Sequence, residues 1–377
     1  VCSSDLDLRM TYDAILLTSF GGPEGPDEVM PYLERVTAGR GVPRERLEEV
    51  SHHYLALGGV SPINEQNRAL LAAMRSHFPS RGIDIPIYWG NRNSEPYFAD
   101  VLKQMYEDGH RNVLAWVTSA YSSYSGCRQY RENLAVALIE TGLEGKLNID
   151  KVRHYFDHPG FITPIADDLA TQISAMYDQG LAAGDISIMF ATHSIPTAMG
   201  VSSGPEARRQ EFAELAGEGG AYAAQHLAAA SETMKKVAEK IGAELPDWSL
   251  VYQSRSGSPS VPWLEPDVND AINAAADAGT KGVIIVPIGF VSDHVEVIWD
   301  LDNEAKETAE ERDLKFARVV TSGVAPEFVD GIADLILERQ AGAEKKALSK
   351  LGPWVDACAV GCCPNLRKEL PVIAEAV

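Results

Sequence analysis

Short apolar runs rich in β-branched residues recur along this chain, and a long amphipathic stretch separates most neighbouring pairs. The runs read as strands near Asp13–Thr18, Ile85–Trp89, Asn112–Val117, Ile149–His154, Ile186–Ala191, Ser249–Gln253, Gly282–Pro287 and Lys315–Val320. Glu95–Glu107, Cys127–Glu140, Pro164–Gln179, Pro266–Ala278 and Asp293–Arg312 read as helices between them. Buried strands alternating with helices imply parallel sheets covered on both faces. Eight such strands close one barrel or divide into two open sheets. A length of 377 residues favours two domains, and the hydrophilic turn region Asp157–Gly160 splits the strands evenly. The expected class is therefore α/β, with two Rossmann-like domains that each hold a four-stranded parallel sheet flanked by helices. Their spans are 1–160 and 161–340, followed by a basic helix (Lys345, Lys346, Lys350) and a cysteine-rich tail over 341–377. Gly204–Gly242 breaks the rhythm: it reads as two helices joined at Gly217-Glu218-Gly219-Gly220, a candidate movable cover.

In open α/β sheets the ligand lies beyond the carboxyl ends of the strands, so chemistry is sought there. Strand Ile186–Ala191 runs into Thr192-His193-Ser194-Ile195-Pro196, which places His193 at that edge. A neutral imidazole there accepts a proton or binds a metal, although a histidine at a strand end is more often structural. Strand Gly282–Pro287 leads through Gly289-Phe290-Val291 to Ser292-Asp293-His294-Val295-Glu296. From there Glu296, Asp300 and Glu304 recur every fourth residue, one face of a helix. Two readings compete for these carboxylates: a solvated acidic face, or a path that carries divalent cations or protons to a site begun by His294 and Glu296. Gly58-Gly59-Val60-Ser61-Pro62 and the hydroxyl-rich Ser119–Gly126 are polar turns, by ordinary accounting caps and loops. Their functional alternative is a grip on the acidic arms of a flat aromatic ligand.

Composition removes several classes of function. Acids outnumber bases 54 to 33, a net charge of −21 that argues against nucleic acid or an anionic membrane as partner. No apolar run reaches the length of a membrane helix, and 45% hydrophobic content excludes a wholly disordered chain. The leader VCSSDLDLRM lacks the apolar centre of a signal peptide, Met10 reads as a start, and a cytoplasmic location is expected. Five cysteines in so long a chain are not a disulfide framework. Setting aside Cys2, Cys127 and the Cys358-x3-Cys362-Cys363 group make four thiols, a set that suits structural zinc or an iron–sulfur cluster. The spacing fits neither zinc ribbons nor common ferredoxin runs, and buried free thiols remain the alternative.

Taken together, Leu16-Leu17-Thr18-Ser19-Phe20-Gly21-Gly22-Pro23, Gly58-Gly59-Val60-Ser61-Pro62, Thr192-His193-Ser194-Ile195-Pro196 and Gly289–Glu296 resemble the ferrochelatases, enzymes that insert Fe2+ into a porphyrin. The resemblance covers about Asp13 to Gln340. The cysteine group is similar to that of the actinobacterial branch, which carries a [2Fe–2S] cluster and acts on coproporphyrin III. It implies a porphyrin in the cleft between two Rossmann-like domains, with His193 as proton acceptor or iron ligand and Glu296 as the opposing carboxylate. Ser61, Tyr130 and Tyr54 would contact the porphyrin, and Cys127, Cys358, Cys362 and Cys363 would hold the cluster. His294, Asp300 and Glu304 would belong to the metal or proton path. Some bacterial members place a tyrosine where Phe20 stands; Phe20 has no oxygen and supplies no axial ligand. Fe2+ and the porphyrin are the implied partners of a monomer without stable membrane association. A cobalt or nickel chelatase, or a non-catalytic tetrapyrrole-binding or iron–sulfur redox protein, are the competing readings.

Overall fold

The eight apolar runs form eight strands in two four-stranded parallel sheets. A computed structural model describes residues 11–39, 41–256 and 260–376. The first sheet holds β1 (Ala14–Ser19), β2 (Ile87–Asn91), β3 (Asn112–Val117) and β4 (Asn148–Lys151), in the order β2-β1-β3-β4. The second holds β5 (Ile186–His193), β6 (Asp247–Gln253), β7 (Gly282–Val286) and β8 (Lys315–Arg318), ordered β6-β5-β7-β8. The second order is the first shifted by four strands, a repeat of topology where the sequence shows no repeat.

Alternate residues of each central strand enter different cores, as a period of two on a sheet covered on both sides requires. Ile15 and Leu17 of β1 join a core that also takes Ile188 and Phe190 of β5, Ile162, Leu169 and Ile173 of the Pro159–Asp178 helix, and Ile332 and Ile336 of the Pro326–Ala341 helix. Their neighbours Ala14 and Leu16 face Phe98, Leu102, Leu134 and Leu138 on the opposite side. In the second sheet Met189 and Ala191 face Val297, Leu301 and Ala305. The largest core thus runs through both sheets and fixes their carboxyl edges relative to each other. The Pro159–Asp178 and Pro326–Ala341 helices meet at two glycines. A Cβ on Gly160 would lie 2.4 Å from the Glu327 carbonyl oxygen and 2.9 Å from the Gly331 Cα.

Four expectations need correction. The helix expected from Pro164 begins at Pro159, where a missing N–H costs nothing, and Pro164 lies inside it. The Gly204–Gly242 segment is not a cover. Its second helix, Gly220–Lys240, is buried through Ala221, Ala224, Ala229, Ala230 and Val237 and belongs to the main core. The basic stretch after Ala341 forms no helix among the described residues. Instead Lys346 pairs with Asp334 at 2.7 Å, and Lys345 pairs with Asp356. The expected Asp293–Arg312 helix is composite: a single helical turn at Val295–Val297, π-helical turns over Ile298–Ala305, and α-helix over Lys306–Glu311.

Candidate active site

His193 is the last residue of β5, and its backbone is gripped from behind. The Tyr222 hydroxyl donates to the His193 carbonyl at 2.8 Å and lies 2.8 Å from Thr192 Oγ1. Thr192 Oγ1 in turn lies 2.9 Å from His226 Nε2, while His226 Nδ1–H donates to the Tyr222 carbonyl at 2.7 Å. Burial drives the His226 pKa down to about 3, so this ring is a neutral structural member. The strand edge is also closed by Gly289, where a Cβ would lie 2.1 Å from Thr192 Oγ1. On the His193 ring, Nδ1 faces the Ser194 carbonyl and must carry the hydrogen there. Nε2 faces Glu296, with Oε2 at 3.6 Å.

Electrostatics assign unequal states to the two partners. Burial works against a charged His193, but the hydrogen bond and charge of Glu296, with the Ser194 carbonyl, raise its pKa above the ordinary value. Burial likewise disfavours ionised Glu296, yet His193, His294 and His53 outweigh it and hold this carboxyl at about 2. The pair is a fixed carboxylate facing a nitrogen that gains a proton readily. His294 precedes the helical turn and sets its ring edge against Phe290, 5.2 Å between centroids. Burial lowers its pKa, with Glu296 opposing, so it supplies a neutral imidazole beside the pair.

Glu296, Asp300 and Glu304 all line one cavity of about 230 Å³, together with His53, Tyr54, Gln253 and Ser254. The sequence placed the three carboxylates on an α-helical face, whereas Asp300 and Glu304 lie in π turns. An i→i+5 ladder takes more residues per turn, so the fourth residue stops short of one turn instead of overshooting it. The carboxylates therefore still share a side. Asp300 accepts hydrogen bonds from Ser254 Oγ and, at 3.4 Å, from Gln253 Nε2. Burial pushes its pKa up to about 7, with the charges of Glu296 and Glu304 adding and the Ser254 bond opposing. Glu304 accepts from the Trp299 indole N–H at 2.8 Å, and the Trp299 ring stacks on His53 at 4.3 Å across the cleft. These carboxylates are neither uniformly solvated nor uniformly charged.

A histidine of raised pKa facing an ionised carboxylate, backed by acids that open to a cavity, suits exchange of protons for a divalent cation. Comparison with known proteins identifies the lineage. The ferrochelatase family model matches residues 12–340. The chain is 53% identical over 364 residues to the coproporphyrin III ferrochelatase of Leifsonia xyli subsp. xyli, covering 95% of this chain and 92% of that protein. It is 51% identical to the protein of the same name from Streptomyces griseus subsp. griseus, covering 99% and 98% of the two chains. It is 52% identical to that of Streptomyces coelicolor, covering 97% and 96%.

The chain belongs to the ferrochelatase family.

In this ferrochelatase Tyr54, Glu296, Asp300 and Glu304 line one cavity, and His193 and His294 lie beside Glu296. Tyr54 is buried against Tyr32, 5.8 Å between ring centroids, within a cluster that reaches Val295. Ser61 lies elsewhere, buried against Gly22, where a Cβ would meet the Ser61 Cβ at 2.6 Å. Tyr130 is also buried, and the Arg92 guanidinium sits over its ring at 4.7 Å and over the Phe20 ring at 5.1 Å. Arg92 escaped the sequence reading, as did Gln253, Ser254, His53 and Trp299. Gln253 ends β6, so the carboxyl-edge rule that found His193 also pointed to it. Nothing in the sequence pairs His53 with Trp299.

The four thiols come together from distant parts of the chain. Cys127, Cys358, Cys362 and Cys363 form one cluster of unpaired cysteines, each no more than 3% exposed. Cys127 lies in the turn before the Gln129–Glu140 helix, and the tail lays its three cysteines over that turn. Adjacent Cys362 and Cys363 both point inward because Cys363 adopts a positive φ of 50°, and their sulfurs lie 3.9 Å apart. The Gly204 N–H donates to Cys363 Sγ at 3.1 Å. No group of three or more His, Cys, Asp or Glu among the described residues is arranged around a single-ion position.

Proposed function

We propose that this chain inserts Fe2+ into coproporphyrin III in heme biosynthesis, with His193 as the proton acceptor and Glu296 as the opposing carboxylate. The carrying observation is the His193 Nε2–Glu296 Oε2 approach of 3.6 Å at the carboxyl edge of β5, beside the cavity lined by Asp300 and Glu304. Metallation replaces two pyrrole N–H protons by a dication. In its basic form His193 has a free Nε2 that takes the two protons in turn, releasing the first toward solvent before accepting the second; the imidazolium formed each time faces Glu296 and is stabilised by it. Asp300, with its pKa near neutrality, exchanges protons with solvent, and Glu304 and Glu296 guide the cation inward. His294 adds a neutral nitrogen beside that path. Tyr54, Tyr130 and Ser61 are the proposed porphyrin contacts. One chain carries both partners of the pair, so the proposed working unit is a monomer, and four buried unpaired thiols suit the reducing cytoplasm.

We assign Cys127, Cys358, Cys362 and Cys363 as ligands of a [2Fe–2S] cluster. Four buried, unpaired cysteines gathered in one cluster supply the four thiolates that a centre of two irons takes. Such a cluster supplies one-electron exchange and ties the tail to the Cys127 turn.

The test follows the loss of porphyrin fluorescence on adding Fe2+ anaerobically, with coproporphyrin III and a two-armed porphyrin in parallel. Decay above the uncatalysed rate, faster for the four-armed substrate and lost in His193→Ala, is expected. Wild-type protein without accelerated decay, or His193→Ala with normal turnover, would overturn the assignment.

A further inference from the structure

Two cations lie buried beside the four thiols with too few acidic partners. Lys151, the last residue of β4, is 4% exposed, and its ammonium donates to the Val152 carbonyl at 3.2 Å. Arg131 is 1% exposed; its Nε donates to the Ile373 carbonyl at 2.8 Å, while both terminal nitrogens lack a hydrogen-bond partner. Its nearest carboxylate, Glu375, is 3.6 Å away and is shared with Arg128 at 3.4 Å. A small cavity brings Lys151 to Cys127, with Ser119, Gly126 and His154 around it. His154 adds no negative charge. Burial and Lys151 drive its pKa down to about 3, with Arg131 assisting, so the ring is neutral. Cys127 and Arg131 are four residues apart, on one face of the segment that meets the tail.

Burying an uncompensated cation costs several kcal/mol, so a site with two of them calls for an anion. Protonated thiols would supply none, whereas thiolates bound to a metal centre would. A [2Fe–2S] centre held by four thiolates is a dianion when oxidised and a trianion when reduced, and its net charge and hydrogen bonds set its potential. We infer that Lys151 and Arg131 are the counter-charges of this centre and, with the Gly204 amide on Cys363, favour its reduced form. The inference rests on the cluster assignment above. Reduction adds one electron from a one-electron donor such as dithionite and takes up no proton. The added charge is held by the two cations already in place. Both stabilise the trianion more than the dianion, so removing either lowers the reduction potential.

The experiment compares anaerobically purified wild type with Lys151→Met, Arg131→Met and the charge-keeping Lys151→Arg. Cluster content is read from visible absorbance, and the midpoint potential from a dithionite titration followed by electron paramagnetic resonance. Each Met variant should shift the reduction equilibrium at least ~10-fold toward the oxidised form, ~59 mV for a one-electron couple, while Lys151→Arg stays near wild type. A Met variant that loses its cluster while Lys151→Arg retains it also supports the counter-charge role. Full cluster content with unchanged potentials in both Met variants overturns it, as does loss of the cluster in Lys151→Arg. Wild-type protein without cluster absorbance sinks the cluster assignment itself, an outcome distinct from these.

Discussion

Glu296→Gln tests the pairing at the centre of the site, because it removes a charge and almost no volume. At the observed 3.6 Å, a full imidazolium–carboxylate attraction is ~1.2 kcal/mol in a water-like medium and ~4.6 kcal/mol at an effective dielectric constant of 20. The His193 and Glu296 side chains are 33% and 41% exposed, so solvent screens the pair and the lower part of that range applies. A loss of ~1–2 kcal/mol from the state in which His193 has taken the pyrrole proton is ~5–30-fold in kcat. The pH profile gives a second, independent readout. Glu296 raises the His193 pKa, so in wild type the basic form appears at higher pH than for an unperturbed histidine, and the rate climbs as pH rises through that titration. In Glu296→Gln that support is gone, the pKa falls, and the acid limb of kcat/KM moves to lower pH while the plateau drops. Initial rates of coproporphyrin fluorescence decay at saturating Fe2+, measured across the histidine titration range, give both quantities. An unchanged plateau with unchanged porphyrin KM, or an acid limb that moves to higher pH, would refute the reasoning.

Three further outcomes follow from the same geometry. Asp300 holds its proton up to about pH 7 against an ordinary value of 3.8, so its stabilising contribution is full below the ordinary value and lost as pH rises through 7. Asp300→Asn should therefore melt above wild type at pH values beyond 7, show a flatter dependence of Tm on pH between those two values, and insert iron more slowly. Tyr222→Phe deletes the 2.8 Å bond to the His193 carbonyl, worth ~0.5–1.5 kcal/mol. It should lower kcat severalfold at unchanged porphyrin KM, and an unchanged kcat would show that the strand edge holds His193 without it. Arg153 and Glu338 pair bidentately at 2.7 and 2.9 Å with side chains 0% and 1% exposed, joining the end of the first sheet to the Pro326–Ala341 helix. Urea titration of Glu338→Gln should show a loss of ~3–5 kcal/mol from the stranded guanidinium.

The strands were legible because a buried parallel strand announces itself as an unbroken apolar run. Asn112–Val117 ends where its sequence says it should. His193 was legible for the same reason, since a strand's carboxyl edge is a sequence position. The Gly220–Lys240 helix was not. Its buried face is built from alanines, which carry little hydrophobic contrast, and the glycines before it read as a hinge. Gly220 in fact permits a close approach, its Cβ position lying 2.1 Å from the Gly200 carbonyl oxygen. The π turns at Ile298–Ala305 were hidden because they use the same residue types as an α-helix and differ only in hydrogen-bond partner. The lysines after Ala341 suggested a helix by composition, but their partners Asp334 and Asp356 are tertiary.

The acidic segment Asp293–Asp313 shows what structure adds to a charge count. It holds nine acids and two bases, a third of the net −21, which by itself allows only a tolerance of cations. In the fold the acids separate by partner. Arg318, at the end of β8, takes Asp293 at 3.0 Å and Asp302 at 2.6 Å, and Lys306 lies 3.8 Å from Glu310. Asp293 and Asp302 bracket the turn that carries Glu296 and Asp300, so one guanidinium clamps it at both ends. Glu296, Asp300 and Glu304 are left facing the cavity, held by His193, Ser254 and Trp299. That division suits the proposed path for metal ions, because carboxylates already neutralised by arginine would attract no iron.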